Sequence, residues 1–163
     1  MRRKTWIALA LMVALAATAG AQWVHKDRLT RYAVAPLPAA WKKITIKDAD
    51  FAFFREEGGV SIVVNSTCGV QAPAPLSALI AHLMLDLADR KEEERRDTEI
   101  DGRAALAVVL AARLDGAAVK MDLRVVQIDA CVYDFSYVAP PGGYGQGHAD
   151  FDALVASFHA DRR

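Results

Sequence analysis

Two Asp-Gly dipeptides, Asp101-Gly102 and Asp115-Gly116, bracket the segment 103–114. Asp-Gly between apolar runs is among the strongest short-range signals for a two-residue hairpin turn, because both central residues of that turn need φ above zero. Beyond the second dipeptide, Val119, Met121, Leu123 and Val125 alternate with Lys120, Asp122 and Arg124, the period of a half-buried strand. That strand needs a neighbour, and a tight turn hands the role to 103–114. Alanine and leucine between Ala104 and Leu114 favour a helix by intrinsic propensity. The turn chemistry at both ends opposes it, and we read a strand. Ala130 to Val138 continues the meander, with Cys131, Tyr133, Phe135 and Tyr137 on one face and Val132, Asp134, Ser136 and Val138 on the other.

Earlier residues add three strands and a helix. Trp41 to Lys47 alternates Ile44 and Ile46 with polar residues, Asp48-Ala49-Asp50 turns the chain, and Phe51 to Arg55 returns. Gly58-Gly59 punctuates before Val60 to Asn65. Prolines in Gln71 to Pro75 bar a central strand. From Leu76 onward, Leu79, Ile80, Leu83, Met84 and Leu87 follow one helical face, with Asp86 and Arg90 four apart at its edge. The run Asp89 to Asp97 alternates in sign and reads as a solvated helix end and a charged edge strand. Pro140-Pro141-Gly142-Gly143 ends the sheet, and a glycine-rich stretch to Gly147 reads as a mobile connector. A last helix over Ala149 to His159 buries Phe151, Leu154, Val155 and Phe158. The predicted architecture is α+β, an antiparallel sheet of about six or seven strands with two packed helices. It forms a single domain over 41–163, preceded by an extended lead-in over 22–40 without a core of its own.

The N-terminus carries an export signal. Arg2, Arg3 and Lys4 precede an apolar run from Trp6 to Ala17, and small residues end in Ala19-Gly20-Ala21. A basic start, a short apolar run and an A-x-A site make a secretory signal peptide over 1–21. The alternative is an uncleaved anchor, which is also the sole membrane contact the sequence suggests. Export predicts a periplasmic or secreted protein. The full chain balances 20 basic against 20 acidic residues, and residues 1–21 hold three of the cations and none of the acids. What remains is mildly acidic, which excludes nucleic acid as an expected partner. In an oxidising compartment Cys68 and Cys131 are a natural disulfide pair.

Several short motifs carry a resemblance. The proline-bearing lead, Trp41, a phenylalanine-bearing hairpin, an amphipathic helix, an Asp-Gly-linked meander and a terminal Asp-Phe…Ser-Phe helix resemble the PsbP-like α/β fold. That family is best known from an extrinsic subunit of photosystem II and includes many exported bacterial proteins of unknown function. Asn65-Ser66-Thr67-Cys68, Asp101-Gly102-Arg103 and Cys131-Val132-Tyr133-Asp134 are similar to stretches of small bacterial envelope proteins. The resemblance spans roughly 32–159 and implies a fold, not a chemistry.

Catalytic motifs are missing from the sequence. There is no G-x-S-x-G, H-E-x-x-H or G-x-x-x-x-G-K-[ST], and the histidines at 25, 82, 148 and 159 show no metal-ligand spacing. His82 falls on the polar side of its helix and reads as solvated. We therefore expect no cofactor, no metal and no enzyme activity. Asp134 stands on an otherwise mostly apolar strand, so its carboxylate is expected inside, ion-paired to Arg103, Arg113 or Arg124; a general base is the sharper alternative. Tyr133, Tyr137 and Tyr144 are candidate contact residues, Tyr144 because it sits at the tip of the glycine-rich loop. Asn65-Ser66-Thr67 fits a glycosylation pattern, although a polar turn at a strand end explains it as well. Two functions fit: a non-catalytic envelope protein that binds a protein partner, as an accessory to a membrane-associated complex or transporter, or a periplasmic carrier or sensor of a small apolar ligand. The carrier needs a chamber lined by Phe51, Phe53, Phe54, Tyr133, Phe135 and Tyr137.

Overall fold

In the computed structural model, which describes residues 21–69 and 73–161, both Asp-Gly pairs make the turns their chemistry demands. Asp101 and Gly102 have φ of 51° and 70°, and Asp115 and Gly116 have 50° and 83°. Ile100 thus pairs with Arg103, and Leu114 with Ala117. These turns join β6 (Ala88–Ile100), β7 (Arg103–Leu114) and β8 (Ala117–Ile128), and β9 (Cys131–Ala139) follows. With β3 (Lys42–Ile44), β4 (Phe51–Arg55) and β5 (Val60–Cys68) they form one antiparallel sheet in the order β3-β4-β5-β9-β8-β7-β6. The alanine-rich β7 is a strand because β6 and β8 pair with it on both sides. Its central residues are buried on both faces, a setting where packing overrides helix propensity.

Each face of this sheet is covered. On one, α1 (Leu76–Leu83) packs Ile80 against Leu106, Val108, Leu110, Met121, Leu123 and Val125. On the other lie α2 (His148–Ala156) and a second sheet of β1 (Trp23–Lys26), β2 (Arg31–Val34) and β10 (His159–Ala160), with β2 in the middle. Phe151, Leu154, Val155 and Phe158 join Tyr32 and Val34 there, against Ile62, Val64, Phe135 and Tyr137.

The signal segment read over 1–21 lies, except for Ala21, outside the described residues, as do residues 70–72 and 162–163. Within them, the lead-in expectation needs correction. Residues 22–40 contain two strands, and Tyr32 and Val34 are fully buried members of the core. The two strands pair with each other as a hairpin, and β10, from the far end of the chain, adds to β2 a neighbour that a local reading could not see. Helix α1 ends at Leu83, four residues short of Leu87. The chain turns there because β6 pairs with β7 from Ala88 onward, which makes the charged run a long edge strand throughout. Arg90 donates to the carbonyl of Met84 instead of pairing with Asp86. The glycine-rich connector is an ordered 3₁₀ turn over Pro141–Gln146, docked so closely that a Cβ on Gly143 would lie 2.2 Å from the Gly58 carbonyl oxygen. The last helix starts at His148 and stops at Ala156, and His159 has passed into β10.

The disulfide expectation holds. Cys68 and Cys131 face each other across the β5–β9 ladder with Cα atoms 4.0 Å apart, and their sulfurs are bonded. The bond ties residues 63 apart, which in the chain-entropy account stabilises by about 4 kcal/mol.

Candidate functional site

The α1 face of the sheet carries a hollow of about 180 Å³. Cross-strand register builds its floor. Asp134 on β9 lies between Asn65 on β5 and Val125 on β8, and Val132 lies beside Thr67. Leu79, His82 and Leu83 on α1 close the other side, spaced to share one helical face. Asp134 is buried, and its Oδ1 accepts a hydrogen bond of 3.1 Å from Nδ2 of Asn65. The Oδ1 of Asn65 is itself buried without a hydrogen-bond partner.

Burial pushes the Asp134 carboxyl up to about 6, opposed by the Asn65 hydrogen bond, reinforced by the charge of Asp50 and eased by His82. The expected arginine partner is not there. Arg124 projects from the opposite face of the sheet, and Arg113 pairs with Asp89 and donates to the Gly116 carbonyl. Among the described residues no ion pair joins Asp134 to Arg103 either. Alternation along the strands explains the miss for Arg124: Val125, not Arg124, shares the Asp134 face. His82 is exposed, as expected of the polar side of its helix, yet it lines this hollow.

The other face holds a charge cluster that the sequence reading did not single out. Asp122 is fully buried and accepts from Arg124 Nη2 at 2.7 Å and Nε at 3.1 Å. Arg124 also donates to Asp152 on α2, and His148 Nε2 lies 2.9 Å from Asp122 Oδ2. The second ring nitrogen of His148 is 3.4 Å from Asp152. The alternation of Asp122 and Arg124 with apolar residues reads as a half-buried strand; α2 covers the polar face as well. The available signal was the pairing of a strand Asp-x-Arg with a helical His-x-x-x-Asp, which can meet only if the helix docks there. Asp122, His148 and Asp152 each offer a metal-ligand atom within 4.8 Å of the others. The Arg124 guanidinium already bridges the two carboxylates, and a divalent cation would have to displace it. The cluster clasps α2 to the sheet.

The three candidate contact tyrosines turn inward. Tyr133 is buried with its hydroxyl 2.6 Å from Thr30 Oγ1. Tyr137 is buried, donates to the Tyr144 carbonyl and accepts from the Gly147 N–H. Tyr144 is half-buried, its ring stacked on His148 with centroids 4.8 Å apart. None is an exposed contact, because β9 presents this parity to the core and the docked 3₁₀ turn carries Tyr144 inward. Asn65 and Thr67 lie within β5, which runs three residues past the expected end.

The chain finds no match among sequence-family models or curated proteins. Solved structures do match. The cyanobacterial PsbP of Synechocystis sp. PCC 6803 superposes with a TM-score of 0.57 at 11% identity, over 90% of this chain and 96% of that one. The fold is PsbP-like. Within the PsbP-like fold, LpqN of Mycobacterium tuberculosis, involved in cell envelope biogenesis, superposes with a TM-score of 0.61 at 10% identity, over 86% and 90% of the two chains. A Pseudomonas aeruginosa protein of unknown function gives 0.57 at 16%, over 85% and 96%. At these identities the PsbP-like likeness concerns architecture alone.

Proposed function

We propose that the protein is exported to the cell envelope and works there without catalysis, binding another protein as an accessory to a membrane-associated complex or transporter. The observation that carries this reading against a carrier is the closed aromatic core. Of the rings that would have to line a ligand chamber, Phe51, Phe53, Tyr133, Phe135 and Tyr137 are each buried, and Phe54, on the opposite parity of its strand, is half-buried. Tyr32, Phe51, Tyr133, Phe135 and Phe158 pack edge-to-face or tilted, with centroids 5.0–5.7 Å apart. An apolar-ligand carrier needs roughly 300–1,000 Å³ of largely apolar space. The α1 hollow falls short of that, and the roomier groove of about 360 Å³ is lined by polar side chains such as Thr98, Glu99, Asp101, Arg124 and Asp152. The disulfide supports an oxidising compartment, and the fold shared with an envelope-biogenesis protein supports the setting.

The test is crosslinking in intact envelopes followed by purification of the full chain. The expected result is one recurrent protein whose complex re-forms from purified components. A chain recovered alone, or carrying an apolar small molecule in native mass spectrometry, overturns the reading.

A further inference from the structure

The α1 hollow has a chemistry of its own, independent of the partner reading. Its walls are the aliphatic side chains of Leu79, Leu83, Val125 and Val132, and its polar groups are Asp134, Thr67 and His82. A carboxylate removed from water normally finds a cation or several hydrogen-bond donors. Asp134 has the amide of Asn65, and among the described residues it has no ion pair. The Asn65 acceptor beside it also lacks a donor. Thr67 and His82 line the hollow, but among the described residues neither makes a hydrogen bond or ion pair to Asp134, so the carboxylate has no cation in contact with it.

We propose that this hollow binds a primary alkylammonium group, the cation pairing with Asp134 while its aliphatic stem lies along Leu79, Leu83, Val125 and Val132. Charge complementarity excludes an anion. A hydrated divalent cation wants several oxygen ligands, and aliphatic walls supply none. The volume of about 180 Å³ admits a stem of a few carbons and is too small for a lipid. A free aliphatic amine and the lysine side chain of another protein both bring this chemistry, since a lysine buries its stem and carries its charge at the tip.

The experiment titrates the isotope-labelled, oxidised full chain with n-butylammonium chloride by NMR at constant ionic strength and near-neutral pH. Saturable shifts are expected at residues 67, 79, 82, 83, 125, 132 and 134, with 1-butanol weaker by about tenfold or more. Asp134→Asn, which keeps the side-chain shape, is expected to weaken the ammonium by a similar factor. Absent saturation, equal binding of butanol, or undiminished binding to a folded Asp134→Asn variant each overturns the site. The butanol comparison uses the unmodified protein and so stands even if the variant does not fold. Both outcomes of a last arm support the site and separate the sources: N-acetyl-lysine-N-methylamide competes if a protein side chain is the natural occupant, and fails if a free amine is.

Discussion

A single carboxyl makes the sharpest energetic statement in this molecule. The Asp134 group releases its proton at about 6 in the folded chain, against an ordinary value of 3.8. Between those values the folded state holds a proton that the unfolded state has lost, so stability falls as pH rises through the window and levels off above it. A shift of this size corresponds to about 3 kcal/mol at most. Asp134→Asn removes the ionisation and keeps an amide able to face Asn65. It is expected to be more stable than the parent at pH 8, by about 1–3 kcal/mol, with the difference shrinking toward pH 4. Urea unfolding of both proteins at the two pH values checks this, and a variant that is less stable at pH 8 contradicts it. That Asp134 is buried was legible from its apolar strand. Its partner was not, because facing depends on register: pairing to β8 puts Val125, not Arg124, beside it.

The clasp between β8 and α2 belongs to the scale of elements. Arg124 neutralises Asp122 in a fully buried position and reaches Asp152 on the helix at once. Removing one partner of such a pair strands the other charge without water, at a cost of about 3–5 kcal/mol. Arg124→Ala is expected to lose stability on that scale, and hydrogen exchange should show α2 amides opening more readily. Full retention of protection in α2 would mean that its apolar residues hold it unaided. The elements themselves differ in how far local sequence revealed them. β7, β8 and their turns were readable, because Asp-Gly and a two-residue period are local signals. β1, β2 and β10 were hidden: each is short, β1 and β2 pair as a local hairpin without a strong turn dipeptide, and β10 joins β2 from across the length of the chain. The exposed β6 is the converse case, since its charged side chains are those of an edge strand that does not invite another chain to pair.

At the scale of the whole molecule, the Cys68–Cys131 bond joins β5 to β9 around everything between them: α1, β6, β7 and β8. Replacing both cysteines with serine is expected to lower stability by about 2–4 kcal/mol while leaving the strand order intact. Chemical denaturation of the oxidised protein and the double variant gives the difference; equal midpoints would show that the ladder alone suffices. The pairing was legible before the structure because a chain with two cysteines, read as exported, has few alternatives. The closed core was not, since aromatic spacing is the same whether rings line a chamber or fill it.

The small sheet has a practical corollary for handling the protein. β1 and β10 are its two outer strands; Trp23 lies opposite Val34 and Asp161 bonds Arg31, so the described chain enters and leaves at opposite ends of β2, across the main sheet from α1. A dye or tether fixed on an exposed residue of β1 or β10, such as Val24 or His159, therefore sits on the far side from α1, and protein immobilised through it presents the α1 side to whatever is washed over it.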